Sequence, residues 1–234
     1  MEAEAAQPRP HTSHVRLAFW AAFVAAIAAV NYASRLSGSG SGGSKGVSHE
    51  DVYSYATFAG GTVVYAVWLG IVLVIAVDRF DLLALRRPGR WRRTLGLSAA
   101  VIAGILLWEG VVSALPLPES PGQEQGITNV PWEPKHAGAF AANLFLFAVI
   151  APFVEEVTFR GSGQSLLRFL GRWPAIVLVG VAFGLAHGLF EALLVLVPFG
   201  IGLAWLRDRT GSVVPGMFVH ALFNASALVL IVVS

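Results

Sequence analysis

Cysteine is missing from all 234 residues, which excludes disulfides, thiolate metal sites and a cysteine nucleophile. Charge is scarce as well. Only 13% of the residues are charged while 56% are hydrophobic, and the mean hydropathy is +0.68, against roughly 25% charged residues in a soluble domain. The sequence lacks an HExxH zinc motif and any internal repeat of fixed period, so one bundle is the simplest organisation. These shortages describe an integral membrane protein whose principal partner is the lipid bilayer. With no water in hydrocarbon to satisfy backbone groups, long unbroken apolar runs imply spanning helices. The net charge of +2 does not argue for nucleic acid as a partner, because the basic residues cluster between apolar runs, where they act as topology signals.

What is present is an all-α pattern of seven apolar segments, at about 17–34, 53–77, 95–115, 137–160, 173–190, 192–206 and 213–233. The first follows a tail (1–16) that is long and carries two glutamates, unlike the short basic start of a signal peptide, so it is expected to be retained. Ser37–Lys45 reads SGSGSGGSK, a flexible linker by composition. Pro116–Pro134 is a second polar loop rich in proline, glycine and glutamate. Phe80–Arg93 carries leucines followed by an arginine cluster, as an interfacial helix beside anionic lipid would. The expected division is a tail (1–16), a front part with three helices (17–115) and a core of four helices (137–233).

Cytoplasmic loops hold the excess of Lys and Arg, which orients these seven segments. With the amino terminus inside, thirteen of the sixteen basic residues fall on the inner side: Arg9, Arg16, Arg79, Arg86, Arg87, Arg90, Arg92, Arg93, Arg160, Arg168, Arg172, Arg207 and Arg209. Arg35, Lys45 and Lys135 fall outside.

Ionisable groups inside spans cost roughly 2.5–3.5 kcal/mol each on insertion scales, so each marks a candidate functional position. They are Glu109 in the third segment, Glu155 and Glu156 in the fourth, His187 in the fifth, and His220, with Asn224, in the seventh. Glu191 and Arg207 are expected to mark the ends of the sixth. Glu156 and Arg160 stand four apart in the favourable order for an ion pair on one helical face. Glu155 points about 100° away from Glu156 and is free to meet another neighbour. The plainer alternative is that both glutamates end the span at the water interface. An antiparallel hairpin turning at Gly171 and Arg172 puts Glu155, sixteen residues before Gly171, level with His187, sixteen after it. His220 and Asn224 share one face of the seventh segment, roughly 14–20 Å from the turn that precedes it.

With no thiol and no obvious serine nucleophile, the chemistry this set suits is activation of water. Glu155, assisted by His187, is a candidate general base, with His220 and Asn224 as donors to a developing oxyanion. Glu155, His187 and His220 are alternatively a three-ligand set for catalytic Zn²⁺. The spacing does not decide between the two.

Three stretches then carry a resemblance. EEVTFR (Glu155–Arg160) fits an EExxxR motif, FGLAH (Phe183–His187) an FxxxH motif and HALFN (His220–Asn224) an HxxxN motif, in that order on successive segments. In this the chain resembles the CPBP family of intramembrane proteases, the CAAX prenyl endopeptidase and bacteriocin-processing group, also called ABI. The resemblance covers about 137–233. It implies that Glu155 activates water with help from His187, that Glu156, Arg160 and Phe183 support the site, and that His220 and Asn224 stabilise the oxyanion. It implies either a metal-dependent or a metal-free glutamate protease acting on a peptide or membrane-protein substrate. High Ala, Gly, Val and Arg with little Lys suit a high-GC bacterium, so the expected location is a bacterial plasma membrane.

Two other classes compete with the protease. One is a non-catalytic immunity or scaffold protein that binds a peptide or a membrane partner. The other is a proton-coupled transporter using Glu109, Glu155 and the histidines, although such proteins are commonly built from two similar halves.

Overall fold

The computed structural model describes residues 10–36, 48–115 and 130–233. The linker Ser37–Lys45, residues 116–129 of the second loop and residues 1–9 of the tail lie outside them. Every regular element among the described residues is helical: α1 (Pro10–Leu36), α2 (His49–Tyr53), α3 (Tyr55–Ile75), α4 (Trp91–Ser113), α5 (Pro134–Leu170), α6 (Arg172–Ala186), α7 (Leu193–Thr210) and α8 (Val214–Val233). Five of them, α1, α3, α4, α5 and α8, contain stretches long and apolar enough to cross a membrane. The shorter α6 is apolar throughout its middle, and α7 ends on Arg207, Asp208 and Arg209. Exposed apolar side chains such as Val63, Val67, Leu106, Leu107, Phe218 and Leu222 are what a surface solvated by lipid tails presents.

The fourth apolar segment runs ten residues beyond its expected end at 160, and this relocates the glutamates. Glu155 lies fifteen residues from Leu170 and twenty-one from Pro134, in the interior of α5, where Glu155 is 6% exposed and Glu156 0%. They do not mark a water interface. Glycines at 161 and 163 do not end the helix. Instead α5 widens into two π-helical stretches, Leu146–Ile150 and Val157–Gly163, a feature frequent at functional sites. The first exposes backbone. The Ala151 N–H reaches back five residues to Leu146 O, and Pro152 has no N–H, so Phe147 O loses both helical donors. Asn224 on α8 supplies the missing one, its Nδ2 donating to Phe147 O at 2.9 Å. Pro198 inside α7 leaves Leu194 O without its helical donor in the same way, and Trp108 Nε1 on α4 donates to it at 2.6 Å.

The α5–α6 hairpin turns at Gly171, as the sequence leads one to expect, with φ +99°, a value that favours glycine. Beyond it α6 and α7 cross glycine on glycine. A Cβ added to Gly200 would stand 2.8 Å from Gly180 O and 2.9 Å from Gly180 Cα, so the two backbones meet at a distance only hydrogen side chains allow. Around this crossing lies the main core, with Phe159, Ile176, Val179, Phe183, Phe199, Leu203 and Val219 among its members. The front helices are tied to it by specific bonds. Trp20 Nε1 on α1 donates to Thr158 O at 2.9 Å, and Asn31 Nδ2 donates to Ala186 O at 2.7 Å.

One expectation is corrected. Phe80–Arg93 does not form an interfacial helix: one 3-10 turn (Phe80–Leu83) ends at Ala84 with φ 51°, and Pro88 and Gly89 precede α4. Leu82, Leu83 and Ala84 are buried, and the segment is held by Ser165 Oγ donating to Leu82 O at 2.9 Å and Val213 N–H donating to Ala84 O at 3.1 Å. Arg207 stands in the last turn of α7, as expected, but it is not a solvated helix end. It lies within that helix, 7% exposed, and donates from Nη2 to Ser165 Oγ at 2.6 Å, which joins two helices at the arginine-rich end.

Candidate active site

The site is built on a ring. Phe183, fully buried on α6, has His187 at 4.6 Å, Phe159 at 5.4 Å, His220 at 5.6 Å and Phe199 at 6.0 Å between centroids. The Arg160 guanidinium stands over its face at 4.1 Å, a cation–π contact that gains from exclusion of water. Phe183 thereby organises side chains from α5, α6, α7 and α8.

Glu156 and Arg160 pair along one face of α5, as their spacing predicts. Arg160 Nη1 donates to Glu156 Oε1 at 2.6 Å, with both side chains 0% exposed, and Arg160 Nη2 donates to Gly200 O at 3.2 Å. A buried pair is tolerated only when further hydrogen bonds support it. Here the support includes a third participant, because His220 Nδ1 lies 3.1 Å from the same Glu156 Oε1. Gly216 on α8 packs against this carboxylate, where a Cβ would come within 2.7 Å of Glu156 Oε2. The lack of a side chain at 216 lets α8 approach closely enough for His220 to reach.

Glu155 faces elsewhere. Tyr65 on α3 donates its hydroxyl to Glu155 Oε1 at 2.9 Å, while Glu155 Oε2 is buried and accepts no hydrogen bond from the protein. His220 Nε2 stands 3.7 Å from that oxygen, too long for a direct hydrogen bond and suited to a shared third group. His220 thus bridges the two glutamates, Nδ1 toward Glu156 and Nε2 toward Glu155.

His187 follows immediately after α6, where the last carbonyls lack helical donors. Its Nδ1 lies 2.8 Å from Phe183 O, and since a carbonyl only accepts, Nδ1 carries the proton. In the neutral ring Nε2 is then a lone-pair acceptor. His187 lies close enough to Glu155, His220 and Arg160 to interact with their charges.

The structure therefore gathers Glu155, Glu156, Arg160, Phe183, His187 and His220 around one centre. Asn224 stands one turn along α8 from His220, with one of its two amide N–H groups directed to Phe147 O. Glu109, half-buried on α4, takes no part in these contacts. Sequence reasoning missed Tyr65, and with it Trp68, which stacks on Tyr65 at 5.6 Å and donates from Nε1 to Thr158 Oγ1 at 2.8 Å. The available signal was a phenol inside an apolar span, since a buried Tyr hydroxyl needs a partner.

As a metal set the cluster is open. Glu155 and His220 are near one another, yet the ligand atoms of Glu155, His187 and His220 do not lie within 4.8 Å of one another, a spacing that only a different trio meets among the described residues. His187 Nε2 and Glu155 Oε2 remain of a suitable chemical type for zinc, but the spacing does not fit a closed three-ligand centre.

A buried carboxylate with a free oxygen, two imidazoles and an ion pair beneath them thus lie together inside a bundle of apolar helices. Residues 137–226 match the family model described as Type II CAAX prenyl endopeptidase Rce1-like. This segment carries all three motifs and is the Rce1-like part of the chain, in agreement with the resemblance to the CPBP family. No curated protein and no solved structure gives a match.

Proposed function

We propose that the chain is an intramembrane endopeptidase of the CAAX-protease type in which Glu155 activates water for attack on a peptide carbonyl. The observation that carries this reading is the unpaired Glu155 Oε2, buried and faced by His220 Nε2 at 3.7 Å. Glu156 Oε2 also lacks a hydrogen-bond partner, but it is closed off by Gly216, whereas Glu155 Oε2 is the oxygen that faces an imidazole nitrogen across a gap a third group could fill.

In the proposed reaction Glu155 Oε2 accepts a proton from water as the water oxygen bonds to the scissile carbonyl carbon. His187 Nε2 accepts the second water hydrogen bond and sets the angle of attack. Negative charge builds on the carbonyl oxygen, where His220, donating from Nε2 when doubly protonated, and the remaining Asn224 N–H stabilise it. Glu155 then returns its proton to the leaving nitrogen as the C–N bond breaks, so the carboxylate acts first as base and then as acid. Tyr65 holds Oε1 throughout and keeps Oε2 directed at water. Glu156, Arg160 and Phe183 fix His220 and α5.

The substrate in this reading is a peptide or membrane-associated protein, with prenylation optional, and catalysis is metal-free. The same reading counts α6 and α7 with the five longer helices as seven spans, amino terminus inside, in a bacterial plasma membrane. It puts the site nearer the cytoplasmic side. With Arg160 buried inside α5, the basic residues still divide twelve to three, and this split and the shorter distance from Glu155 to the arginine-rich end of α5 support that orientation.

The test uses detergent-purified full chain with farnesylated and unprenylated CAAX peptides and a membrane extract, before and after chelation. Wild type is expected to cleave with or without chelator, and Glu155→Gln to retain bound peptide without cleaving it. Cleavage by Glu155→Gln at the wild-type rate would sink the mechanism. Loss of all cleavage on chelation would return a metal to the site. Retained activity in cells carrying Glu155→Gln would point to the binding or immunity role.

A further inference from the structure

At the end of the bundle opposite the arginine-rich loops, a second polar cluster lies outside the motifs and the catalytic centre. His49 opens α2, whose start is fixed by a capping box: Ser48 Oγ accepts from the Asp51 N–H, and Asp51 accepts from the Ser48 N–H. Glu133 and His136 flank the 3-10 turn Pro134–His136 that begins α5. Residues three apart eclipse in a 3-10 turn, and this brings Glu133 and His136 to one face. His49 Nε2 lies 3.1 Å from Glu133 Oε1 and His136 Nε2 lies 3.4 Å from Glu133 Oε2. All three ligand atoms fall within 4.8 Å of one another, and among the described residues no other trio of His, Asp or Glu meets that spacing.

From this geometry we propose that His49, Glu133 and His136 form a zinc site that fastens α2 to the start of α5. Two imidazoles and one carboxylate are an accepted three-ligand set for Zn²⁺, and ligand bonds of about 2.0–2.1 Å in a tetrahedron put ligand atoms about 3.3 Å apart. The edge from His49 Nε2 to Glu133 Oε1 already has about that length, and the three ligand atoms need only close in from within 4.8 Å of one another. Water completes the fourth position, and the ring of His49, with its side chain 51% exposed, gives the ion an open approach.

The backbone beneath the trio is fixed independently of any ion. Tyr53, buried at 5%, has its ring 5.0 Å from His49 and 5.8 Å from His136. Its hydroxyl donates to Pro131 O at 3.0 Å and accepts from the Glu133 N–H at 3.1 Å. Asn143 Nδ2 donates to Val52 O at 3.1 Å and to Ser54 O at 2.9 Å, anchoring α2 on α5. Lys135 Nζ lies 3.2 Å from Glu133 Oε2. It keeps that oxygen as an outer partner while Oε1 turns to the metal, the arrangement by which a second layer of hydrogen bonds orients metal ligands. The site is distinct in kind from the catalytic cluster: it is solvent-facing and joins two connections, and nothing in the proposed hydrolysis uses it.

The experiment is titration of the purified full chain, affinity tag removed, with Zn²⁺ alone by calorimetry and with Co²⁺ by its visible absorption, alongside thermal melts. One Zn²⁺ per chain at micromolar affinity or tighter is expected, with Tm raised by several degrees. His49→Ala and His136→Ala should each weaken binding at least tenfold and abolish the Tm rise. His49→Cys should restore binding, because a thiolate is a zinc ligand and the chain has no other cysteine. The double variant Glu155→Gln with His187→Ala should bind as wild type does. Absence of Zn²⁺ binding, or binding that survives both alanine variants, overturns the proposal. Binding lost in the catalytic double variant but kept in His49→Ala overturns it too and assigns the ion to the other cluster.

Discussion

Tyr65 donates its hydroxyl to Glu155 Oε1 at 2.9 Å across ninety positions of sequence, and this bond leaves Oε2 as the carboxylate oxygen without a protein partner. Removing the hydroxyl leaves Oε1 as a buried acceptor with no partner, at a cost of roughly 1–3 kcal/mol. Tyr65→Phe is therefore expected to lower kcat/KM by about 5- to 150-fold, since both oxygens then compete for water. Steady-state cleavage of a peptide identified with the Glu155→Gln trap measures this. An unchanged kcat/KM would remove Tyr65 from the account.

Arg160 has a guanidinium sandwiched between Glu156, Gly200 O and the Phe183 ring. Arg160→Met strips the charge from one partner and leaves Glu156 buried, a change that typically costs roughly 3–5 kcal/mol. A fall in Tm of roughly 6–20 °C follows at this chain length. Arg160→Lys should rescue little, because an ammonium cannot make the planar stack and the two directed bonds together. Thermal melts in detergent of the two variants, with Glu156→Gln beside them, read the difference.

The glycine crossing offers a matched comparison. Gly200→Ala brings a Cβ against Gly180 backbone at 2.8–2.9 Å, where no side chain can swing away, so α6 and α7 must separate. Overpacking of this kind costs roughly 1–3 kcal/mol, and displacement of α6 moves His187 with it. Gly110→Ala on α4 meets nothing within 4 Å and should be neutral or mildly stabilising. Equal Tm values for the two variants would mean that the crossing is not a constraint.

A double-mutant cycle tests the role of Asn224. Asn224→Ala alone leaves Phe147 O without its donor. Pro152→Ala restores a backbone N–H that can reach back to Phe147 in the π geometry. The loss of stability in Asn224→Ala should shrink by roughly 0.5–1.5 kcal/mol in the Pro152→Ala background. Strict additivity of the two changes would show that Asn224 does not act through this carbonyl.

The five long apolar helices, the turn at Gly171 and the Glu156–Arg160 pair were legible because hydropathy, glycine and a four-residue spacing are local signals. The contrast between Glu155 and Glu156 followed from helical phase alone. The length of α5 was not legible, because Arg160 looks like a boundary until Phe183 and Gly200 are known to bury it. The π stretches were invisible too, since they arise from what packs against α5 and not from a residue pattern. Tyr65 lay outside the motif-bearing segment altogether. Its role depends on α3 lying beside α5, and one sequence does not contain that adjacency.

The order in which the site's partners occur along the chain bears on how this protein enters a membrane. By the time Glu155 is synthesised, Tyr65 already exists in α3, and Arg160 follows Glu156 by a single helical turn. Each glutamate therefore has a partner before α6, α7 or α8 has been made. A helix whose acidic residues can be neutralised or hydrogen-bonded on arrival meets a smaller barrier at the translocon than one that must wait for later helices. On this order of synthesis, His220 and Gly200 O complete an α5 that has already been inserted, so the pair of glutamates costs the nascent chain less than its composition suggests.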